Sequence, residues 1–115
     1  MIPDYQSLMR PVLNSGKLGP QKISDVVAAI SDGLNLTDAE GEEMLPSGKQ
    51  TKIANRVHWA RSYLKQAGLV RNPKRGWFEI TERGRGIADD QSIEINKNFL
   101  GRVEIHRAFV IAAAI

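Results

Sequence analysis

The sequence has no cysteine. That excludes a disulfide scaffold, a cysteine-ligated zinc site and a thiol nucleophile, and it fits a reducing, cytoplasmic setting. Histidine is scarce: His58 and His106 are the two in the chain, and they lie far apart. No Ser/His/Asp arrangement, glycine-rich phosphate loop or metal-ligand spacing accompanies them. Catalysis by this chain alone is therefore not expected, and neither is a cofactor or a metal. Long apolar runs are missing too. The longest ends the chain, from Ala108 to Ile115, whereas a membrane-spanning helix needs about 20 apolar residues. No membrane partner is expected. The opening Met1-Ile2-Pro3-Asp4-Tyr5 lacks the basic stretch and apolar core of a signal peptide. Internal repeats and low-complexity tracts are absent as well.

What is present is an uneven distribution of charge. The 115 residues carry a net charge of +3. Residues 1–46 hold three Lys/Arg against seven Asp/Glu, residues 47–86 hold ten against two, and residues 87–115 hold three against four. A basic block between mildly acidic flanks suggests a polyanionic partner, or else a solvated basic face.

The length suits one domain, assigned to residues 1–90, with 91–115 as a C-terminal helical extension or linker remnant. Asp4 can cap a helix whose apolar residues Tyr5, Leu8, Met9, Val12 and Leu13 recur at spacings of three and four. Pro11 inside it allows a kink or an early end. A second helix is expected from Pro20, with Ile23, Val26, Val27 and Ile30 on one stripe and Gly33 as its stop. Thr37 and Glu40 form a capping box for a short acidic helix ending near Leu45-Pro46. The longest helix should run from about Gln50 to Ala67, buried along Ile53, Val57, Ala60, Leu64 and Ala67, with Gly68 terminating it. Leu69-Val70-Arg71 and Trp77 to Thr81 read as a β-hairpin around the turn Asn72-Pro73-Lys74-Arg75-Gly76. Thr81 then caps a helix from Glu82 to Ala88. Helices ending in a basic one, followed at once by a hairpin, are the order of a winged helix-turn-helix: mainly α with a small β-hairpin.

Stepping about 100° per residue from Ile53 puts Thr51, Asn55, His58 and Ser62 on the face opposite the core, with Lys65 and Gln66 beside them. Ser47, Lys49, Gln50 and Lys52 mark the approach to the helix. Asn and Gln amides suit adenine edges, hydroxyls and imidazole suit base or phosphate, and Lys and Arg neutralise phosphates. The amides of Ser47-Gly48 could also reach a phosphate near the helix start. Lys74 and Arg75 at the hairpin tip, with Arg71 and Arg56, complete the candidate DNA-binding set. Each has a plainer reading as a solvated side chain, and Arg56 and Arg61 can lay their stems over apolar surface. Trp59 and Tyr63 sit on the flank of the apolar face, which favours core edge over base stacking.

Four stretches carry a resemblance: Ile2-Pro3-Asp4-Tyr5-Gln6-Ser7-Leu8-Met9, Leu45-Pro46-Ser47-Gly48-Lys49-Gln50, the run from Asn55 through Leu69, and the run from Pro73 through Gly84. In this order they resemble the N-terminal winged-helix domain of Mrr-type restriction endonucleases. The resemblance implies double-stranded DNA binding by this domain. It also implies a separate C-terminal nuclease domain that does the cutting, often with a preference for methylated DNA. A nuclease core is not expected here, since Glu94 and Lys97 do not fit its spacing. The chain would then be a fragment, a truncated gene or a stand-alone module. A transcription-regulator-like role and a protein-docking or dimerisation role stay open on the same fold. The apolar positions from Phe99 to Ile111 suffice for a further helix, folded back on the domain or paired with a second copy as a homodimer.

Overall fold

The first helix begins where the sequence offers a cap. In the computed structural model, which describes residues 2–102, the Asp4 carboxylate accepts from the Ser7 amide at 2.8 Å and α1 runs Tyr5–Ser15. That hydrogen bond holds the Asp4 carboxyl below its ordinary pKa. Pro11 stands inside α1 without ending it. A single 3-10 turn, Gly16–Leu18, follows.

The next segment departs from expectation. Pro20 does not open a helix: Gln21–Lys22 form β1, and α2 runs Ile23–Gly33. The reason is non-local. β1 pairs antiparallel with a later strand, Gln21 opposite Phe78 and Lys22 opposite Trp77. Gly33 is the last residue of α2, as expected, but it does not take the left-handed conformation that closes the helix. The left-handed position falls to Asn35, at φ 53°, a residue type that tolerates it. The Asn35 amide donates to the Asp32 carbonyl at 3.0 Å and the Leu36 amide to the Ser31 carbonyl at 3.2 Å. These two bonds are a Schellman ending.

The Thr37–Glu40 capping box is formed, and α3 spans Asp38–Glu42. It ends short of Pro46 because the chain turns into a small ladder: Met44 bridges Thr51, and the Lys52 amide donates to the Glu43 carbonyl at 2.8 Å. Thr51 then caps α4, Lys52–Gln66, its hydroxyl accepting from the Ala54 amide at 3.2 Å. Gly68 follows at φ 78°. The hairpin strands β2, Val70–Arg71, and β3, Trp77–Ile80, pair antiparallel. With β1 they make a three-stranded sheet in the order β1-β3-β2 rather than a bare hairpin. Thr81 caps α5, Glu82–Asp89, and its hydroxyl donates to the Gly68 carbonyl at 2.6 Å, tying the start of α5 to the end of α4.

The core follows from these faces. Leu8, Met9, Val12 and Leu13 of α1 are buried with Ile53, Val57, Ala60 and Leu64 of α4, and Val26, Phe78, Ile80 and Ala88 close the cluster. Every apolar position expected on the α4 stripe is buried, Ala67 included. Past α5, Ile95 and Leu100 join the same cluster, residues 97–102 are helical, and the Asn96 side chain accepts from the Phe99 amide at 2.9 Å. Arg10 binds this stretch to α1: its guanidinium donates to the carbonyls of Ala88 at 3.3 Å, Asp90 at 3.2 Å and Ile93 at 2.6 Å. The apolar positions from Val103 to Ile115 lie outside the described residues. The architecture is mainly helical with a small antiparallel sheet, in the element order of a winged helix. Among the described residues, no helix is long and apolar enough to cross a membrane.

Candidate nucleic-acid interface

Burial of one stripe leaves the far side of α4 open. Asn55, Trp59, Ser62 and Gln66 recur there at helical spacing, opposite the buried residues. The Asn55 side-chain amide donates to the Gln50 side-chain oxygen Oε1 at 3.2 Å, so the two amides orient each other. Trp59 is not a core-edge residue, contrary to expectation: it is 53% exposed. Tyr63 takes the core-edge place instead, its ring stacked on that of Tyr5 with centroids 5.2 Å apart. Between the N-terminal segment and α4 opens a cleft of about 810 Å³, walled by Pro3, Tyr5, Asn55, Arg56, Trp59 and Tyr63.

His58 lies half-buried beside this face. Burial first, and the positive charge of Arg61 second, lower its pKa below the ordinary 6.5. At neutral pH it therefore offers a neutral imidazole rather than a cation.

The structure separates the basic candidates by what already holds them. Lys52 pairs with Glu43 at 2.7 Å. Arg71 pairs with Glu79 across the hairpin. Arg56 donates from Nη1 to the carbonyls of Ile2 at 2.8 Å and Pro3 at 3.1 Å, so this one nitrogen anchors the N-terminal segment. Ser47 and Lys49 stand exposed at the tip of the ladder loop before α4. Of the two loop amides expected to reach a phosphate, that of Gly48 is engaged within the loop. Gly48, at φ 70°, donates to the Leu45 carbonyl at 2.8 Å, and the Lys49 amide to the Ser47 hydroxyl at 3.4 Å. Thr51 spends its hydroxyl as the cap of α4.

Lys74 and Arg75 stay exposed on the turn between β2 and β3. The Lys74 ammonium lies 4.4 Å from the Trp77 ring centroid, a cation–π contact that holds it on one side of the sheet. Sequence reasoning missed the third member of this group. Lys22 is directly opposite Trp77, and opposed residues of an antiparallel pair share a face. The exposed Lys22 thus stands on the same face as the Trp77 indole and the Lys74 ammonium. The signal was hidden because two residues give no alternation, and the partner strand lies more than fifty positions away. A further bond, from the Ile23 amide to the Gly76 carbonyl at 2.9 Å, ties the turn to the start of α2.

The described residues contain no group of three or more His, Cys, Asp or Glu placed to hold a metal ion. The surface offers oriented amides, hydroxyls, the open Trp59 indole and cations on a hairpin turn.

Comparison with curated proteins and with solved structures finds no match. A family model does match: the Mrr N-terminal domain, over residues 5–90. That span runs from the first residue of α1 to just past the end of α5 and takes in every strand. The chain belongs to the Mrr N-terminal domain family.

Proposed function

We propose that this chain binds double-stranded DNA, with the open side of α4 in the major groove and the turn between β2 and β3 on the neighbouring backbone. One observation carries the reading: α4 is buried along a single stripe and is followed at once by an exposed cationic turn, beside which β1 sets Lys22. The family adds a restriction-system setting. In that setting the chain recognises the target, and cutting belongs to a different domain.

Roles follow from what each side chain has free. Asn55, with Gln50 holding it, and Ser62 and Gln66 face base edges. Lys22, Lys49, Lys74 and Arg75 neutralise phosphates. Arg56 and Arg71 act mainly as braces, since their guanidinium groups are already engaged. His58 meets the groove as a neutral hydrogen-bonding group. Such a role fits a cytoplasmic location.

Duplex affinity measured against salt tests the reading. Binding should fall steeply as salt rises, because each neutralised phosphate releases counterions. Replacing Lys74 and Arg75 together by alanine should weaken all sequences alike and flatten the log–log salt slope by about two. Asn55→Ala should instead change preference between sequences. Salt-insensitive or absent binding would favour the docking role, and unchanged affinity in both variants would remove the proposed surface. Methylated plasmid incubated with magnesium should stay uncut.

A further inference from the structure

The exposed indole of Trp59 asks for an explanation that phosphate contact does not give. Tryptophan is among the more buried residue types on average. Here it is 53% exposed, in the middle of a row whose other members are polar. It is also held in place. The Trp59 and Tyr63 rings lie 6.3 Å apart, tilted by 39°, and Tyr63 is itself stacked on Tyr5. A braced apolar ring at the centre of the groove-facing row is built to meet an apolar group.

Resting on the DNA-binding reading above, we infer that Trp59 is a specificity-determining residue, and that it recognises the 5-methyl group a pyrimidine presents in the major groove. The duplex itself narrows the choice. In an intact major groove a side chain meets base edges, not base faces, so the indole cannot stack. The edges there carry donors and acceptors at every base pair, and the apolar feature is the methyl group of thymine. The helix geometry adds a register. Asn55 and Trp59 are one turn apart, about 6 Å along the axis, which is close to two base-pair steps of about 3.4 Å. The methyl-bearing pyrimidine therefore lies within about two base pairs of the base that Asn55 selects.

The experiment begins with selection from a random duplex pool by the full chain and by its Trp59→Ala variant. Because the indole is more than half exposed, the variant should fold, and a thermal melt checks this. The wild-type chain should enrich thymine at one position near the Asn55-dependent one, and the variant should lose that enrichment alone. In the selected duplex, replacing that thymine by uracil removes one methyl group. Wild-type affinity should drop about fourfold, the worth of one buried methyl, while the variant should bind both duplexes equally. Trp59→Phe should keep part of the discrimination. Placing cytosine and then 5-methylcytosine at the position tells the two sources of the methyl group apart. Gain on methylation means the methyl itself is read; loss of binding with both means the thymine base edge is read as well. Equal wild-type affinity for thymine and uracil overturns the inference and leaves DNA binding standing. So does an equal drop in wild type and variant. Absence of any duplex binding removes both.

Discussion

Gly84 offers a sharp test of how α5 supports the hairpin. A Cβ placed there would lie 2.1 Å from the Leu69 carbonyl oxygen and 2.8 Å from Ile80 Cγ1, where ordinary contact begins at 3.4 Å. The first neighbour is backbone and cannot rotate away. Moreover, that oxygen already accepts from the Thr81 amide at 3.0 Å. Gly84→Ala must therefore lift α5 from the root of the hairpin by more than about 1 Å. Helix propensity pulls the other way, since alanine is better than glycine inside a helix by about 1 kcal/mol. Overpacking of this kind costs about 1–3 kcal/mol, occasionally more. With backbone as the obstacle, the net loss should be about 2 kcal/mol, or a fall in Tm of at least about 8 °C for a domain of this size. Gly86, in the same helix, has nothing within 4 Å of its added Cβ. Gly86→Ala should gain about 0.5–1 kcal/mol. Urea and thermal unfolding followed by circular dichroism measure both. The account of α5 fails if the two variants shift stability in the same direction, or if Gly84→Ala is neutral.

Three further outcomes are expected. Lys22→Ala should lower duplex affinity for all sequences and reduce the salt slope by about one, while Lys22→Arg keeps it; a slope like that of wild type would take Lys22 off the interface. The lowered pKa of His58 means that the unfolded chain takes up a proton before the native one does. Stability should accordingly fall as pH drops below about 6.5, above the range where carboxylates titrate, and His58→Gln should flatten that part of a urea-midpoint profile. Arg10→Ala removes the donor shared by the Ala88, Asp90 and Ile93 carbonyls; a loss of about 1–2 kcal/mol is expected, with hydrogen exchange accelerating first in residues 88–97.

Local signals were legible in the sequence and distant ones were not. Asp4, Thr37, Thr51 and Thr81 all cap helices; capping is settled within four residues, and of these Asp4, Thr37 and Thr81 were readable as caps. The buried stripe of α4 was equally plain, because helical period alone places it. β1 was hidden, since a two-residue strand exists only through its partner. α2 ends at Gly33 as read, but the left-handed turn that closes it belongs to Asn35 rather than to the glycine. The candidate site was readable as a list of residue types, while their engagements were not. Arg56 looks free until the Ile2 and Pro3 carbonyls arrive, and Trp59 looks like core until the fold leaves it uncovered.

The bond from the Ile23 amide to the Gly76 carbonyl gives the hairpin tip a second foothold beside its two strands. A loop gripped at one end only would surrender much of its conformational freedom on meeting a rigid rod of phosphates. This one has surrendered part of it during folding. On the DNA-binding reading proposed above, more of the attraction of Lys74 and Arg75 for the backbone then remains as affinity, and the distance from tip to helix is fixed before the encounter.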